Sequence, residues 1–342
     1  MGRRRLVIAL VACAAVLVAA VAIMGRGGST AGYASGLHRL RFGRDAYRYA
    51  LYIPPRRRSG PAMPLVVVLH GCTMSPAEEE AATGYDQLAA VRGFAVLYPD
   101  VDAVDAANGR CWKALWDPQA EGRGRGDAGA IAAMTTAVTA RWHLDPTRVY
   151  AIGISAGAFE VSSLGVAYPD MYAAIGIHSG AGYLPGAYGC PPVSAGTTGT
   201  AARAAVAAMG SRARAMPVII FHGDRDGTIP YRCGRQALAQ WLAADDLILH
   251  RQHSAPVPST PSGSTHAAVA GRRAYSVRFY AERPRCPIIE LWSIHGMGHY
   301  WSGGSADPAS LRYSDPTGPN ASAASWAFFS HWQRSAGGSR CA

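Results

Sequence analysis

Short, continuous apolar runs recur along this chain, with helix-like segments between them. A run of this kind predicts a strand that is buried on both faces of a parallel sheet. The runs lie at residues 65–69, 94–98, 149–154, 173–177, 218–221 and 288–294. Helices are predicted at 128–142, with Asp127 as the N-cap, and at 231–242. Strands that alternate with helices indicate an α/β fold with a mostly parallel, doubly wound sheet.

Three further segments belong to the same domain. Residues 37–53 alternate in polarity like a strand, and Pro54-Pro55 ends that pattern. Residues 194–215 and 252–272 are rich in small or turn-forming residues and are predicted to be excursions from the sheet. A chain of this length can bury a sizeable core, so one domain over 37–342 is expected.

Near its start the chain has three consecutive arginines, Arg3–Arg5, and then an unbroken apolar run over 6–24. The run is about as long as a transmembrane span. It predicts either a cleaved export signal or an uncleaved membrane anchor, with a small-residue linker up to residue 36. In both cases residues 37–342 lie outside the cytoplasm. They are either secreted or anchored to the outer face of the cytoplasmic membrane.

The distribution of charge and the spacing of the cysteines argue against a nucleic-acid-binding protein and against a metal site. The formal net charge is +11 at pH 7, but the basic residues are scattered and lack any zinc-finger, basic-zipper or ribonucleoprotein motif. No nucleic-acid partner is therefore expected. Six cysteines follow residue 36, and an even number in an exported chain favours disulfides. None has C-x-x-C spacing, so no metal site is expected.

The pentapeptide Gly153-Ile154-Ser155-Ala156-Gly157 follows one of the apolar runs directly. It fits the G-x-S-x-G nucleophile elbow, a sharp strand-to-helix turn that exposes a serine hydroxyl at the top of a sheet. The turn crowds the neighbouring strand, so the two flanking glycine positions have little room for a Cβ. The motif predicts Ser155 as a nucleophile.

A serine nucleophile needs a base, and the base needs a carboxylate that orients it. Asp224 and Asp226 follow the run at 218–221, and His295 and His299 follow the run at 288–294. We favour Asp226, because Asp224 comes so soon after its strand that it can tighten the turn. His295 still lies at a strand end and is interpreted as structural, whereas His299 follows two glycines and can fold over the serine.

A tetrahedral oxyanion needs two fixed N–H donors. The amide of Ala156, just after the nucleophile, is one candidate. The loop after the strand at 65–69 is expected to supply the other, and the amide of Cys72 fits best. A covalent tether would hold that loop still, so we favour a disulfide between Cys72 and Cys111.

The chain resembles the esterase family of polyhydroxybutyrate depolymerases, which is related to feruloyl and acetylxylan esterases and has the α/β-hydrolase fold. The segments that carry the resemblance are HGCTMSP, CWKALWDP, GDAGAIAAM, VYAIGISAGAF, HGDRDGTIPY, LWSIHGMGHYWSGG and DPTGPNASAASWAFF. It implies Ser155, Asp226 and His299 as the catalytic triad, with the Cys72 and Ala156 amides as the oxyanion hole. Phe159 and Glu160 depart from the small residues and methionine that are usual in the family. Relatives that attack solid polymer also carry a binding domain, so soluble or oligomeric esters are expected here.

The expected function is an extracellular serine esterase that hydrolyses polyhydroxyalkanoate oligomers or acyl- or feruloyl-polysaccharide esters through an acyl-enzyme. Trp301, Trp112 and Trp116 lie beside the site segments and are candidates for binding substrate. No cofactor and no metal are expected. The partner would be the ester substrate, oligomeric or linked to a polysaccharide, with membrane contact only through an uncleaved N-terminal segment. An acyltransferase with the same triad and a non-catalytic binding module of the same fold remain alternatives.

Overall fold

The computed structural model describes residues 36–43, 47–55, 61–183, 190, 192–251, 257–281, 286–335 and 338–341. The prediction for residues 1–35 of the N-terminal segment lies outside this range. Within the described residues, no helix has the length and apolar character needed to cross a membrane.

A ten-stranded sheet forms the centre of the molecule, in the order β1-β2-β4-β3-β5-β6-β7-β10-β9-β8. The six strands from β4 to β10 in that order run parallel, and the strands beyond them on both sides pair antiparallel. The strands are β1 (Gly36–Phe42), β2 (Tyr47–Ile53), β3 (Leu65–Leu69), β4 (Ala95–Pro99), β5 (Val149–Ile154), β6 (Ala174–His178), β7 (Val218–Gly223), β8 (Gly263–Ala267), β9 (Tyr275–Tyr280) and β10 (Ile289–Ile294). Two small sheets pair β11 (Trp301–Ser302) with β12 (Ser314–Asp315) and β13 (Trp332–Ser335) with β14 (Gly338–Cys341).

Helices cover both faces of this sheet, as the continuous apolar strands require. They are α1 (Pro76–Thr83), α2 (Tyr85–Arg92), α3 (Ala103–Ala107), α4 (Gly126–Arg141), α5 (Ala156–Ala167), α6 (Ala195–Met209), α7 (Arg232–Arg251) and α8 (Ala321–Phe329). Every residue of α5 is buried, and this helix contacts β5, β6, α4 and α6. Its position fixes the turn that precedes it, which is the predicted nucleophile elbow.

All six predicted buried strands are present with bounds within two residues of those predicted, and the α/β fold with a mostly parallel sheet is confirmed. The run at 37–53 forms two antiparallel strands, β1 and β2, rather than one. The two predicted helices correspond to α4 and α7, and α7 continues to Arg251.

The prediction of Asp127 as the N-cap of α4 is wrong. The N-cap is Arg125, and Asp127 lies in the first turn with a fully buried side chain. Its carboxylate accepts hydrogen bonds from the Tyr47 hydroxyl and the Lys113 amide, each at 3.1 Å. Glu121, from the preceding loop, accepts from the Ala128 amide at 2.7 Å instead. A carboxylate from outside the helix therefore satisfies its first turn.

The two predicted excursions contain regular structure. α6 lies within 194–215, where its alanines pack against α7 without the large side chains that mark helical periodicity. The sequence feature that indicates the start of α6 is the N-cap Ser194, which forms a capping box with Thr197. β8 lies within 252–272 and is a polar edge strand without an apolar run.

Candidate active site

Ser155 lies at the turn between β5 and α5 with φ +56° and ψ −125°, a conformation that is costly for a residue with a side chain. The flanking glycines are required by contact. A Cβ on Gly157 would lie 2.2 Å from the carbonyl oxygen of Leu69, and one on Gly153 would lie 2.5 Å from the carbonyl carbon of Gly157. The strained turn at the top of the sheet therefore has the geometry of the nucleophile elbow that the sequence predicts.

Asp226 and His299 form a hydrogen-bonded pair beside this turn. Nδ1 of His299 lies 2.7 Å from Oδ2 of Asp226, whose other oxygen accepts from the amides of Thr228 at 2.9 Å and Ile229 at 2.8 Å. Burial raises the pKa of Asp226, but the hydrogen bond and charge of His299, together with His222, lower it below its usual value. The carboxylate therefore stays ionised and orients the imidazole.

Asp224 and His295, the alternatives to Asp226 and His299, form a second hydrogen-bonded pair at the surface. Nδ1 of His295 lies 3.0 Å from Oδ2 of Asp224, and Nε2 of His295 lies 2.9 Å from the hydroxyl oxygen of Ser276. The ring of His295 is thus held by two side chains, those of Asp224 and Ser276. Asp224 also accepts from the Gly296 amide at 2.7 Å, which ties its turn to the histidine loop. Ser276 lies within the regular strand β9, so it lacks the sharp turn that exposes a nucleophile.

Ser155 and His299 line the same cleft, which has a volume of about 460 Å³. The loop after β3 and the turn after β7 form further parts of its wall. The other lining residues are Gly71, Cys72, Thr73, Met74, Ile154, Gly227, Thr228, Gly298, Tyr300, Arg312 and Tyr313. The cleft brings together the predicted nucleophile, the predicted base and one predicted oxyanion donor.

The loop at 70–73 packs directly against the elbow, since a Cβ on Gly71 would lie 3.4 Å from Cβ of Ser155. Cys72 forms a disulfide with Cys111, as predicted. The Thr73 amide donates to the Gly109 carbonyl at 2.9 Å, which further fixes the loop. Two more disulfides join the pairs Cys190–Cys233 and Cys286–Cys341.

The tryptophans do not line this cleft, and the substrate-binding prediction is wrong for two of them. Trp301 is 1% exposed, its ring stacks on His178, and its indole N–H donates to Ser322 at 3.2 Å. Trp112 is fully buried and donates to the His70 carbonyl at 2.9 Å, so it supports the loop at 70–73. Trp116 is 47% exposed and lies outside the residues that line the cleft.

Two buried histidines that sequence reasoning missed hold the site loops. Nε2 of His178 accepts from the Ser302 amide at 3.1 Å, which ties the end of β6 to the segment after His299. Burial lowers the pKa of His178 well below its usual value, so its ring is neutral and Nδ1 carries the proton. Nε2 of His222 donates to the Ile229 carbonyl at 2.8 Å and closes the turn that carries Asp226. Both directly follow apolar runs of the sequence, at 173–177 and 218–221, which was the available signal.

Two clusters of carboxylates could hold a cation by their spacing, since their oxygens lie within 4.8 Å of one another. In the cluster of Asp102, Asp105 and Asp127, the Lys113 ammonium already lies 2.7 Å from Asp105 and 3.1 Å from Asp102. The other cluster joins Asp127 to Glu121 and Glu160, all buried. Burial, followed by the neighbouring carboxylates, raises the pKa of Glu160 well above its usual value, which favours its protonated form.

A family model described as esterase PHB depolymerase matches residues 47–252. The chain belongs to this family. Poly(3-hydroxyalkanoate) depolymerase C of Paucimonas lemoignei is 29% identical over 250 residues, which cover 69% of this chain and 54% of that protein. Feruloyl esterase B of Thermothelomyces thermophilus is 30% identical over 206 residues, covering 56% and 68%. The chain thus spans about half the length of the depolymerase that it matches.

The fold of this family member is also found in solved structures. Acetyl xylan esterase from Aspergillus awamori superposes with a TM-score of 0.62 and 20% sequence identity, covering 78% of this chain and 94% of that chain. At this identity the likeness concerns the fold alone. It identifies the mostly parallel sheet with its covering helices as an α/β-hydrolase fold.

Proposed function

We propose that the chain is a serine esterase that cleaves carboxylic esters through an acyl-enzyme. The Ser155 hydroxyl oxygen attacks the ester carbonyl carbon, and Nε2 of His299 takes the hydroxyl proton. The tetrahedral intermediate collapses, and His299 returns that proton to the departing alkoxide. A water molecule then attacks the acyl-enzyme by the same route, which releases the acid and restores Ser155.

Asp226 supports the base in each step. With Nδ1–H of His299 donating to its carboxylate, Nε2 is left as the free acceptor for the serine proton. The carboxylate also stabilises the imidazolium that forms when His299 takes the proton. The lowered pKa of Asp226 keeps it charged for this role.

The amides of Cys72 and Ala156 would bind the oxyanion. Ala156 begins α5, where first-turn amides have no acceptor within the helix. Cys72 lies on the loop that packs against Ser155 and is anchored by the disulfide to Cys111. Fixed donors of this kind are worth roughly 3–4 kcal/mol each in the transition state.

The observation that carries the proposal is the Asp226–His299 hydrogen bond, together with the cleft that His299 and the strained turn at Ser155 both line. The names of the relatives suggest the substrate class. A polyhydroxyalkanoate depolymerase, a feruloyl esterase and acetylxylan esterases all act on esters of larger molecules. We therefore propose oligomeric hydroxyalkanoates or acylated polysaccharides as the substrates.

A hydrolysis panel tests the proposal, with 4-nitrophenyl acetate and butyrate, hydroxybutyrate oligomers, methyl ferulate and acetylated xylan. Wild type should cleave the nitrophenyl esters, and Ser155→Ala should lower kcat at least about 1,000-fold. Ser276→Ala is the matched control, since Ser276 also contacts a histidine, and it should leave kcat unchanged. Retained activity in Ser155→Ala would reject the assignment. Transfer of the acyl group to added alcohols in preference to water would identify an acyltransferase instead.

We also propose that residues 1–36 direct export and that the catalytic domain, residues 37–342, works outside the cytoplasm. Three disulfides support this location, because cytoplasmic thiols are kept reduced. N-terminal sequencing of the protein from culture medium and from membranes tests both readings. A mature terminus near residue 36 in the medium supports a cleaved signal, and an intact terminus in the membrane fraction supports an anchor. An intact chain in the cytoplasm would contradict export.

A further inference from the structure

Arg312 gives the cleft a fixed positive charge. Among the residues that line the cleft, Arg312 is the one arginine or lysine, and no aspartate or glutamate lines the cleft. The carboxylate of the triad, Asp226, has its side chain buried behind His299. An ester that enters this cleft therefore meets a guanidinium group, and no carboxylate belongs to the cleft lining.

This charge is not neutralised by an ion pair. Arg312 is exposed, and within the described part of the chain no carboxylate oxygen lies within ion-pair distance of its guanidinium. Arg273, by contrast, is paired with Asp315 at 2.7 Å. Burial raises the pKa of Glu78, but hydrogen bonds from Ser75 and the charge of Arg312 lower it below its usual value. Oε2 of Glu78 accepts from the Ser75 amide and hydroxyl, each at 2.8 Å, and Oε1 accepts from the Tyr313 hydroxyl at 3.4 Å. Both oxygens of Glu78 thus have donors of their own, in the capping box of α1 and at Tyr313, and Arg312 is left without an ion pair.

The guanidinium is also partly preorganised. It stacks over the ring of Tyr313, with its central carbon 4.4 Å from the ring centroid. Stacking on an aromatic face leaves the N–H edge of the guanidinium free to donate. Tyr313 is itself fixed, because its carbonyl accepts from the Trp301 amide at 2.7 Å and its amide donates to Ser310 at 2.9 Å. A charged donor on a fixed platform suits a carboxylate ligand.

We propose that Arg312 selects esters that carry a carboxylate, on either the acid or the alcohol part, over neutral esters of the same size. This inference rests on the proposed esterase function of the same cleft and names its substrate class. The carboxylate would accept hydrogen bonds from Arg312 while the ester carbonyl lies at Ser155. Arg312 acts through substrate binding and takes no part in the proton transfers.

Matched substrates test the inference on both sides of the ester. On the acid side, mono-4-nitrophenyl glutarate is compared with 4-nitrophenyl valerate, which has the same chain length without the charge. On the alcohol side, 3-acetoxybutyrate is compared with its methyl ester. The variants are Arg312→Gln, which removes the charge, and Arg312→Lys, which keeps the charge but loses the planar donor. Arg92→Gln is the control, since Arg92 is exposed and lies outside the cleft.

Wild type should prefer the charged member of at least one pair in kcat/KM. Arg312→Gln should lower kcat/KM for that member by about 10- to 100-fold, the worth of a charged hydrogen bond, while the neutral ester changes by less than about twofold. Arg312→Lys should retain part of the preference, and Arg92→Gln should match wild type. The preference should also weaken as salt is added.

Three results would overturn the inference. The first is that wild type has the same kcat/KM for both members of each pair. The second is that Arg312→Gln lowers kcat/KM equally for both members. The third is that Arg92→Gln changes the preference as much as Arg312→Gln does. The neutral ester separates these failures from a failure of the proposed function. If wild type cleaves it in a Ser155-dependent way but Arg312 has no effect, only the inference fails. If wild type cleaves no ester at all, both fail.

Discussion

Nδ1 of His299 lies 2.7 Å from the carboxylate of Asp226, although 73 positions separate the two residues in the chain. The same carboxylate accepts two backbone amides and is fully buried, so it holds the imidazole in one orientation. A second aspartate–histidine pair lies at the surface, where Nδ1 of His295 is 3.0 Å from Oδ2 of Asp224. The chain therefore offers its own control for the role of the buried pair.

Asp226→Asn should lower kcat roughly 10⁴-fold, because an amide in place of the carboxylate favours the wrong histidine tautomer. KM should change little, since Asp226 does not face the substrate. Steady-state kinetics on 4-nitrophenyl butyrate measure the effect. Asp224→Asn removes the surface pair and should keep kcat within about twofold of wild type. A larger loss in Asp224→Asn than in Asp226→Asn would assign the base to His295.

Gly157→Ala should destabilise the fold by more than about 3 kcal/mol, because the added methyl would lie 2.2 Å from the Leu69 carbonyl oxygen. Urea unfolding followed by circular dichroism measures this change. Gly196→Ala is the control, since a Cβ at that helical position meets nothing within 4 Å. It should stabilise the protein by about 0.5–1 kcal/mol. Equal stability of the two variants would contradict the close packing of the elbow.

Loss of the Cys72–Cys111 disulfide should affect both stability and rate. Cys111→Ser keeps residue 72 and its amide, opens a loop with a sequence separation of 39, and should cost about 4 kcal/mol of unfolding free energy. It should also lower kcat about 10-fold as the oxyanion donor loses its anchor. Cys341→Ser opens the Cys286–Cys341 bridge, with a separation of 55, and should cost similar stability at unchanged kcat. A fall in kcat with both variants would mean that general destabilisation, not the oxyanion loop, causes it.

Glu160→Gln should stabilise the protein at alkaline pH. Burial and the nearby Glu121 raise the pKa of Glu160, so the folded state binds a proton that the unfolded state has already released. The unfolding free energy of wild type therefore falls by up to about 1.4 kcal/mol per pH unit above the usual carboxyl pKa, until the raised pKa is passed. Glutamine keeps the shape and does not titrate.

The difference in Tm between Glu160→Gln and wild type should therefore grow in favour of the variant as the pH rises above the usual carboxyl pKa. Thermal unfolding at a series of pH values gives this difference. Other buried carboxyl groups, Glu79 and Asp245, titrate alike in both proteins and cancel. A difference that is constant with pH would show that Glu160 is not the titrating group.

The sequence predicted the parts of the fold that depend on burial alone. Runs such as 65–69 and 149–154 are apolar on both faces, and only a central parallel sheet buries both. The glycines beside Ser155 reflect a contact with the next strand that the elbow motif already implies. Cys72 and Cys111 were paired because a covalent tether would hold still the loop after the strand at 65–69, which carries the predicted oxyanion donor.

The errors share a different physical cause. Asp127 has the residue type of an N-cap, but long-range partners, Tyr47 and the Lys113 amide, occupy its oxygens. The indoles of Trp301 and Trp112 bind Ser322 and the His70 carbonyl from within the core. Strand β8 is polar because it lies at the edge of the sheet. Each outcome depends on contacts between distant segments, which local pattern does not encode.

Covalent labelling tests the central assignment most directly. The protein is treated with a fluorophosphonate ester, and the adduct is counted by intact mass and located by peptide mass spectrometry. The account predicts one adduct per chain on Ser155, none in Ser155→Ala, and slow labelling in Asp226→Asn. An adduct on Ser276, or no adduct on the folded wild-type chain, would contradict it.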